Sequence, residues 1–236
     1  MDIFSKFMKA VKEFNLIVDG DKIAVGLSGG KDSLTLVDLM SRLKRTNLIN
    51  FEFVVITIDM FNGKYDLSKL TNFCAECGAE LKVIPTQIYE ILFDIRKEKS
   101  PCSLCSKLRK GHLVSTAKEL SCNKIALGHH GDDFVETFFM SLTFEGRLST
   151  FSPLSYLDRS GVYQIRPLIY IREHEIIEYS KSFPIFVNPC PADKHTKRQE
   201  IKDTLKELEK INKDFVDNTL VALLDKSRHQ NFFAGN

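Results

Sequence analysis

The sequence predicts an α/β fold built on a doubly wound parallel sheet, with an N-terminal helix and a C-terminal helical appendage. Three observations carry this expectation. Short apolar runs at 22–27, 51–58, 81–85, 124–127 and 162–168 alternate with helical patterns at 32–45, 66–80, 103–120, 132–143 and 172–182. Stretches of that length between strands suit right-handed crossovers, which join strands in parallel. Glycine-rich turns stand where the first and fourth runs give way to helix.

The elements follow in order. Phe4, Phe7, Met8, Val11 and Phe14 recur at helical spacing, so 2–17 reads as an amphipathic helix. Asp19-Gly20 marks a turn before the first strand. The last strand is followed by a more polar, helical C-terminal part with a pattern over 196–226. The expected organisation is an α/β domain with its N-terminal helix over 1–190 and an appendage over 191–236. The 236 residues suffice for one such domain.

Composition narrows the function classes. Hydrophobic residues are 43% and charged residues 27%, a globular mixture that argues against disorder. The balance 33 − 31 = +2 means that any nucleic-acid binding needs local basic patches. No apolar run approaches the ~18 residues of a membrane helix, and Lys6, Lys9, Lys12 and Glu13 interrupt the N-terminal apolar residues. The expectation is a cytoplasmic protein with no membrane partner. Its six cysteines are then free thiols for metals, clusters or redox chemistry.

The first strand ends in Ser28-Gly29-Gly30-Lys31-Asp32-Ser33, and a helix starts at once. Two glycines let backbone N–H groups face outward, and the helix N-terminus adds partial positive charge. With two hydroxyls and a lysine, the string forms a cradle for phosphate. It is not a Walker A loop, because Asp32 separates the lysine from the serine. The string resembles the pyrophosphate-binding loop of the PP-loop (N-type) ATP pyrophosphatases. That resemblance implies a Rossmann-like sheet of the PP-loop type, ATP as cosubstrate, adenylation of a carbonyl-type oxygen, and release of pyrophosphate.

The run Gly128-His129-His130-Gly131-Asp132-Asp133 follows the fourth strand. If the first and fourth strands are neighbours, both loops face one crevice at the carboxyl ends of strands. Asp132 and Asp133 could hold Mg2+ and, with Lys31, act as catalytic groups that offset charge on the triphosphate. They could equally serve the helix N-terminus. Leu127–Asp133 resembles the family's LGHHxDD signature, which implies the metal role and puts Gly128 and His129 beside the nucleotide. Asp59, ending the second strand, could meet ribose or adenine, or open a loop.

Cys102 and Cys105 open a helix, and Cys190 lies far downstream in NPCP. Three thiolates can hold a 4Fe–4S cluster and leave one iron without a protein ligand, whereas structural zinc wants four closed ligands. Cys74 and Cys77 allow a four-thiol zinc reading, or simple helix packing, and Cys102/Cys105 allow a catalytic dithiol. Cys122 reads as core. The segments PCSLCSKLRKGHL, KIALGHHGDDFVETFFMSL, IRPLIYIREHEI and NPCPADKHTKRQ together resemble the tRNA 2-thiocytidine synthetase family. The resemblance implies Cys102, Cys105 and Cys190 as cluster ligands. It also implies tRNA as substrate, sulfide or a persulfide carrier as sulfur donor, and a homodimer. The rivals are 2-thiouridine formation and a zinc-stabilised RNA-binding module.

Basic residues flank the thiols. Lys97, Lys99, Lys107, Arg109 and Lys110 stand against Glu98, and Lys194, Lys197, Arg198 and Lys202 against Glu200. Both segments suit RNA phosphates, or simply solvated helix faces. Phe144 and Phe151 could stack a splayed base, or pack in the core.

Overall fold

The computed structural model describes residues 1–98, 101–186, 189–190 and 197–229. Helix α1 (Ile3–Glu13) starts where the Asp2 carboxylate accepts the Ser5 N–H at 3.0 Å, and buries Phe7, Ala10 and Val11. It ends earlier than its apolar pattern, because Asn15 takes a positive φ and Leu16 N–H bonds back to Val11 O. Then come β1 (Lys22–Gly26), α2 (Lys31–Thr46), β2 (Glu52–Asp59), α3 (Ser68–Glu76) and β3 (Leu81–Pro85). A π-helical turn at Glu90–Ile95, which no sequence pattern announced, leads to α4 (Pro101–Glu119) and β4 (Lys124–Ala126). The chain continues through α5 (Gly131–Glu145), β5 (Leu154–Leu157), β6 (Val162–Ile165), α6 (Glu173–Tyr179), α7 (Lys197–Ile211) and α8 (Phe215–Leu224).

The sheet order is β3-β2-β1-β4-β6-β5. All neighbours are parallel except β5, which pairs antiparallel with β6 as Leu154↔Ile165 through Leu157↔Val162. The expected parallel sheet thus carries one antiparallel edge strand, β5, that no apolar run announced. A turn over 158–161 with Gly161 at φ +72 folds the chain back, and four residues suffice for the hairpin. β6 stops at Ile165 because Pro167 has no N–H for the ladder. The helix expected over 196–226 is two helices, since the Asn212 side-chain oxygen accepts the Asp214 N–H at 3.1 Å and turns the chain.

β1 pairs β2 on one side and β4 on the other, so the chain reverses direction across the sheet at β1. Right-handed connections then put α2 and α3 on one face and α4 on the other. Consistent with this, Leu113 and Ala117 of α4 share a buried cluster with Ala24, Val54, Ile56 and Ile125.

The chain forms two compact units: Met1–His130 with Ser152–Ala192, which holds the sheet, and Gly131–Phe151 with Asp193–Asn236. The expected partition at 190/191 was linear, whereas the helical unit also draws in α5. Within it Phe139 packs on Phe215 at 5.9 Å between ring centres, over buried Ile201, Leu205, Val216 and Leu220.

At the amino ends of β1 and β4, the sheet unit buries a charge pair. Lys124 Nζ lies 2.7 Å from Asp21 and donates to Leu16 O, while Asp21 also accepts from Val18 N–H and Asn123 Nδ2. Both side chains are under 10% exposed. Asp21→Ala would strand a buried ammonium, and is expected to cost roughly 3–5 kcal/mol, read as a lower urea midpoint. Asp203→Ala, which breaks the exposed Lys206 pair, is expected to leave the midpoint unchanged.

Candidate active site

The loop Ser28–Ser33 leaves β1 and enters α2 with Gly30 as its N-cap. Ser28 N–H donates to Ser33 Oγ at 3.2 Å, and Ser33 Oγ donates to Gly30 O at 2.9 Å. Gly29 has φ +83, and a Cβ there would lie 2.7 Å from Phe186 Cβ. Phe186 N–H donates to Gly29 O at 2.9 Å. Lys31 Nζ sits 3.1 Å from Asp32 and 3.1 Å from Glu173, the first residue of α6. Burial works against its charge, but the two carboxylates outweigh it and hold its pKa above the usual lysine value.

Gly128 fits against this loop backbone. A Cβ on it would meet Asp32 C and O at 3.0 Å and Ser33 N at 3.1 Å. His130 Nε2 lies 3.7 Å from Asp32 Oδ1, and a lone bridge joins His130 to Leu168 beyond the end of β6. The β1/β4 pairing therefore brings Gly128, His130 and the glycine loop together, as the crevice argument requires.

A cleft opens beyond the carboxyl ends of β1 and β2. Ser28, Asp59, Met60, Tyr65, Arg109 and Phe186 are among the residues that line it. Asp59 lies on its wall, but Oδ1 accepts the Phe61 N–H at 2.9 Å and Oδ2 the Gly63 N–H at 2.5 Å. The carboxylate thus organises the 59–63 turn, and each oxygen keeps lone-pair capacity for a ligand.

The thiols fall into two groups. Cys105 Sγ lies 3.7 Å from Met60 Sδ, on the cleft wall. Burial pushes the Cys105 thiol up, Arg109 pulls it down, and the nearby Cys190 and Cys102 thiols push it up further. Cys102 and Cys190 thus each act on the charge of Cys105. Cys74 is fully buried on α3 and raised to about 12 by burial and then by Cys77; Cys77 is raised to about 11, chiefly by burial. α3 and α4 lie on opposite faces of the sheet, so the four-thiol zinc set does not assemble. Among the described residues, no group of three or more His, Cys, Asp or Glu side chains is placed to hold a metal ion. By residue type alone, three thiolates suit a 4Fe–4S cluster that leaves one iron without a protein ligand.

Asp132 and Asp133 begin α5, in the helical unit. There Arg198 Nη1 lies 3.1 Å from Asp133 and 3.0 Å from Glu136, and Nη2 donates to Thr137 Oγ1 at 3.1 Å. Arg198, read as an RNA cation, is thus paired with carboxylates of its own unit. Lys197 lies over the Phe144 ring at 4.6 Å, and Phe151 packs edge-on against Phe134 at 5.3 Å. On α4, Arg109 faces the cleft, and Lys110 is lowered by burial and then by nearby Arg166. Lys99 and Lys194, like Asn188 and Pro191 beside Cys190, lie outside the described residues.

Sequence reasoning missed Met60, Glu173 and Phe186. Glu173 stood in a segment already singled out, and its acid at a helix start was the one available signal. Among the described residues, no helix is long and apolar enough to cross a membrane.

The chain matches a family model described as a PP-loop domain over residues 2–208. It is 36% identical over 221 residues to the tRNA-cytidine(32) 2-sulfurtransferase of Aeromonas salmonicida (strain A449), covering 92% of this chain and 73% of that protein. It is 40% identical over 206 residues to the protein of the same name from Vibrio vulnificus (strain YJ016), covering 86% and 66%. The chain thus spans about two thirds to three quarters of these relatives' length. Among solved structures it is similar to the U34-tRNA thiolase NcsA from Methanococcus maripaludis with its [4Fe-4S] cluster. That likeness has TM-score 0.75 and 25% identity, over 93% of this chain and 76% of that one.

Proposed function

The chain belongs to the PP-loop domain family, and from that premise we propose that it is an ATP-dependent tRNA sulfurtransferase acting on a cytidine C2 oxygen at position 32. The observation that carries this is the Cys105 contact. A thiol grouped with Cys102 and Cys190 touches Met60, which lines the same cleft as Ser28 of the phosphate loop. The relatives' names supply cytidine 32, and the thiolase with its cluster supports the cofactor.

The chain's residues divide the work. Ser28–Ser33 bind the triphosphate through backbone N–H groups and hydroxyls, and Lys31, which Glu173 and Asp32 hold in place, neutralises phosphate charge. Gly128 and His129 belong to the nucleotide side. Mg2+ is assigned to Asp132 and Asp133 on their sequence signature, with Arg198 as the standing partner of Asp133. Cytosine O2 attacks the α-phosphorus, an O–P bond forms, and pyrophosphate leaves. Sulfide then attacks C2, a C–S bond forms, the C–O bond breaks, and AMP leaves. Cys102, Cys105 and Cys190 would hold a 4Fe–4S cluster, whose chemistry is to supply that sulfur nucleophile. Arg109, between the cleft and Cys105, is placed to offset negative charge from both.

The sulfur comes from sulfide or a persulfide carrier, the site of action is the cytoplasm where tRNA is modified, and the working form is a homodimer. Mass spectrometry of tRNA nucleosides tests the reading. Anaerobically reconstituted protein with ATP, Mg2+ and sulfide is expected to convert cytidine 32 to 2-thiocytidine and release one pyrophosphate per base. Sulfur at uridine 34 instead would support the second reading, which the thiolase likeness favours. Sulfur at neither base, from protein that holds iron and ATP, would exclude both.

A further inference from the structure

We propose that Tyr65 is the residue on which the target cytosine stacks, a binding residue for the base that the reaction modifies. The inference rests on the function proposed above, and deepens it by naming the side chain that receives a splayed pyrimidine. In that reading cytosine O2 reaches a nucleotide held at Ser28–Ser33, and sulfur reaches C2 from the side of Cys105. Ser28 and Met60, the neighbour of Cys105, line one cleft, so the base has to enter it. Tyr65 lines the same cleft, and 42% of its surface stays exposed.

The ring is held ready for a flat ligand. Edge-to-face contacts with Phe61 at 4.8 Å and Phe186 at 6.4 Å between centres fix its plane. Phe61 is itself buried, so the first contact is anchored in the core. The backbone is pinned on both sides of Tyr65. Before it, Asp59 accepts the N–H groups of Phe61 and Gly63; after it, Asp66 accepts the Ser68 N–H at 2.8 Å and the Ser68 hydroxyl at 2.9 Å. A preset ring loses little conformational freedom when a ligand arrives, and bases splayed from RNA loops stack on such rings. Leu67 and Leu70 extend the apolar wall, and Arg109 adds a planar cation to the cleft. The two aromatic residues that the sequence singled out for stacking are engaged elsewhere. Phe151 packs on Phe134, and Phe144 lies under Lys197, all within the helical unit.

The chain contains no tryptophan, so Tyr65→Trp supplies a single fluorescent reporter. The full chain, anaerobically reconstituted, is titrated with an anticodon stem-loop that carries cytidine 32 or an abasic site there, with Mg2+ and a non-hydrolysable ATP analogue. Emission of Tyr65→Trp is expected to be quenched by the cytidine loop and left unchanged by the abasic one. The parent is expected to bind the cytidine loop about 5–150-fold more tightly than the abasic loop, the range of one base–aromatic stack. Tyr65→Phe should retain that ratio, and Tyr65→Leu should bring it near one with affinity for the ATP analogue unchanged. A merely structural loss would weaken both loops equally and leave the ratio. If Tyr65→Leu fails to fold by circular dichroism, the quenching of Tyr65→Trp decides. A parent-like ratio in Tyr65→Leu overturns the proposal. So does quenching by the ATP analogue alone with nucleotide affinity lost in Tyr65→Leu, which would give the ring to adenine. Those results leave the functional reading standing if the parent still thiolates cytidine 32. A parent that binds neither loop and thiolates no tRNA overturns the reading itself.

Discussion

Cys190→Ala is expected to purify and reconstitute with little iron, and to lose thiolation by at least about 100-fold. Even second-sphere changes at metal sites cost 10–100-fold, and this one removes a ligand. The side chain is only half-buried, so the fold has little stake in it. Nucleotide binding should persist, because the glycine loop and Lys31 are untouched, and its affinity should match that of the cluster-free parent. Cys77→Ser is the contrast. Its thiol is raised by burial first and then by Asp38 of α2, on the sheet face opposite α4. That variant should keep its iron and its activity. Full iron content and full thiolation in Cys190→Ala would remove the ligand assignment, and iron lost equally in Cys77→Ser would reopen the four-thiol arrangement.

The two kinds of site residue were unequally legible in the sequence. Ser28–Ser33 is contiguous, and its chemistry is carried by backbone N–H groups, so a string of letters is enough to specify it. Gly128 was legible for the same reason, although its tight contact with the Asp32 backbone is a fact of β1/β4 pairing. Glu173 and Phe186 are the opposite case. Each reaches the loop from more than 140 residues away in the chain, and no local periodicity marks it. Arg198 is a third case. Its charge was legible and its partner was not, since the carboxylates of Asp133 and Glu136 lie on another helix. For Asp59, residue type allowed a ligand contact, and the further bonds it accepts from the N–H groups of Phe61 and Gly63 came only with the fold. The fold itself followed from apolar runs and spacing. Its one antiparallel edge was hidden, because β5 is four residues long and is defined by its partner more than by its own pattern.

Gly29→Ala is expected to raise the Kd for ATP by about 10–100-fold while leaving the secondary structure intact. Two costs add here. A positive φ of +83 disfavours any L side chain by about 1–2 kcal/mol. The new methyl would also lie 2.7 Å from Phe186 Cβ and 3.3 Å from Leu70 Cδ1. Phe186 Cβ is fixed close to a backbone that is itself bonded to Gly29 O, so it cannot swing away as a chain end would. The loop must therefore turn, and its N–H groups lose their aim at the phosphates; one hydrogen bond to a charged group is worth about 1.5–3 kcal/mol. Gly63→Ala separates the two costs. That residue has φ +81 but nothing within 4 Å of a Cβ, so it bears the backbone strain without the clash and lies outside the phosphate loop. Calorimetric titration of both variants with ATP and Mg2+ is the measurement. Affinity for Gly29→Ala within twofold of the parent, or no better for Gly63→Ala than for Gly29→Ala, would mean that the glycine loop is not where the phosphates bind.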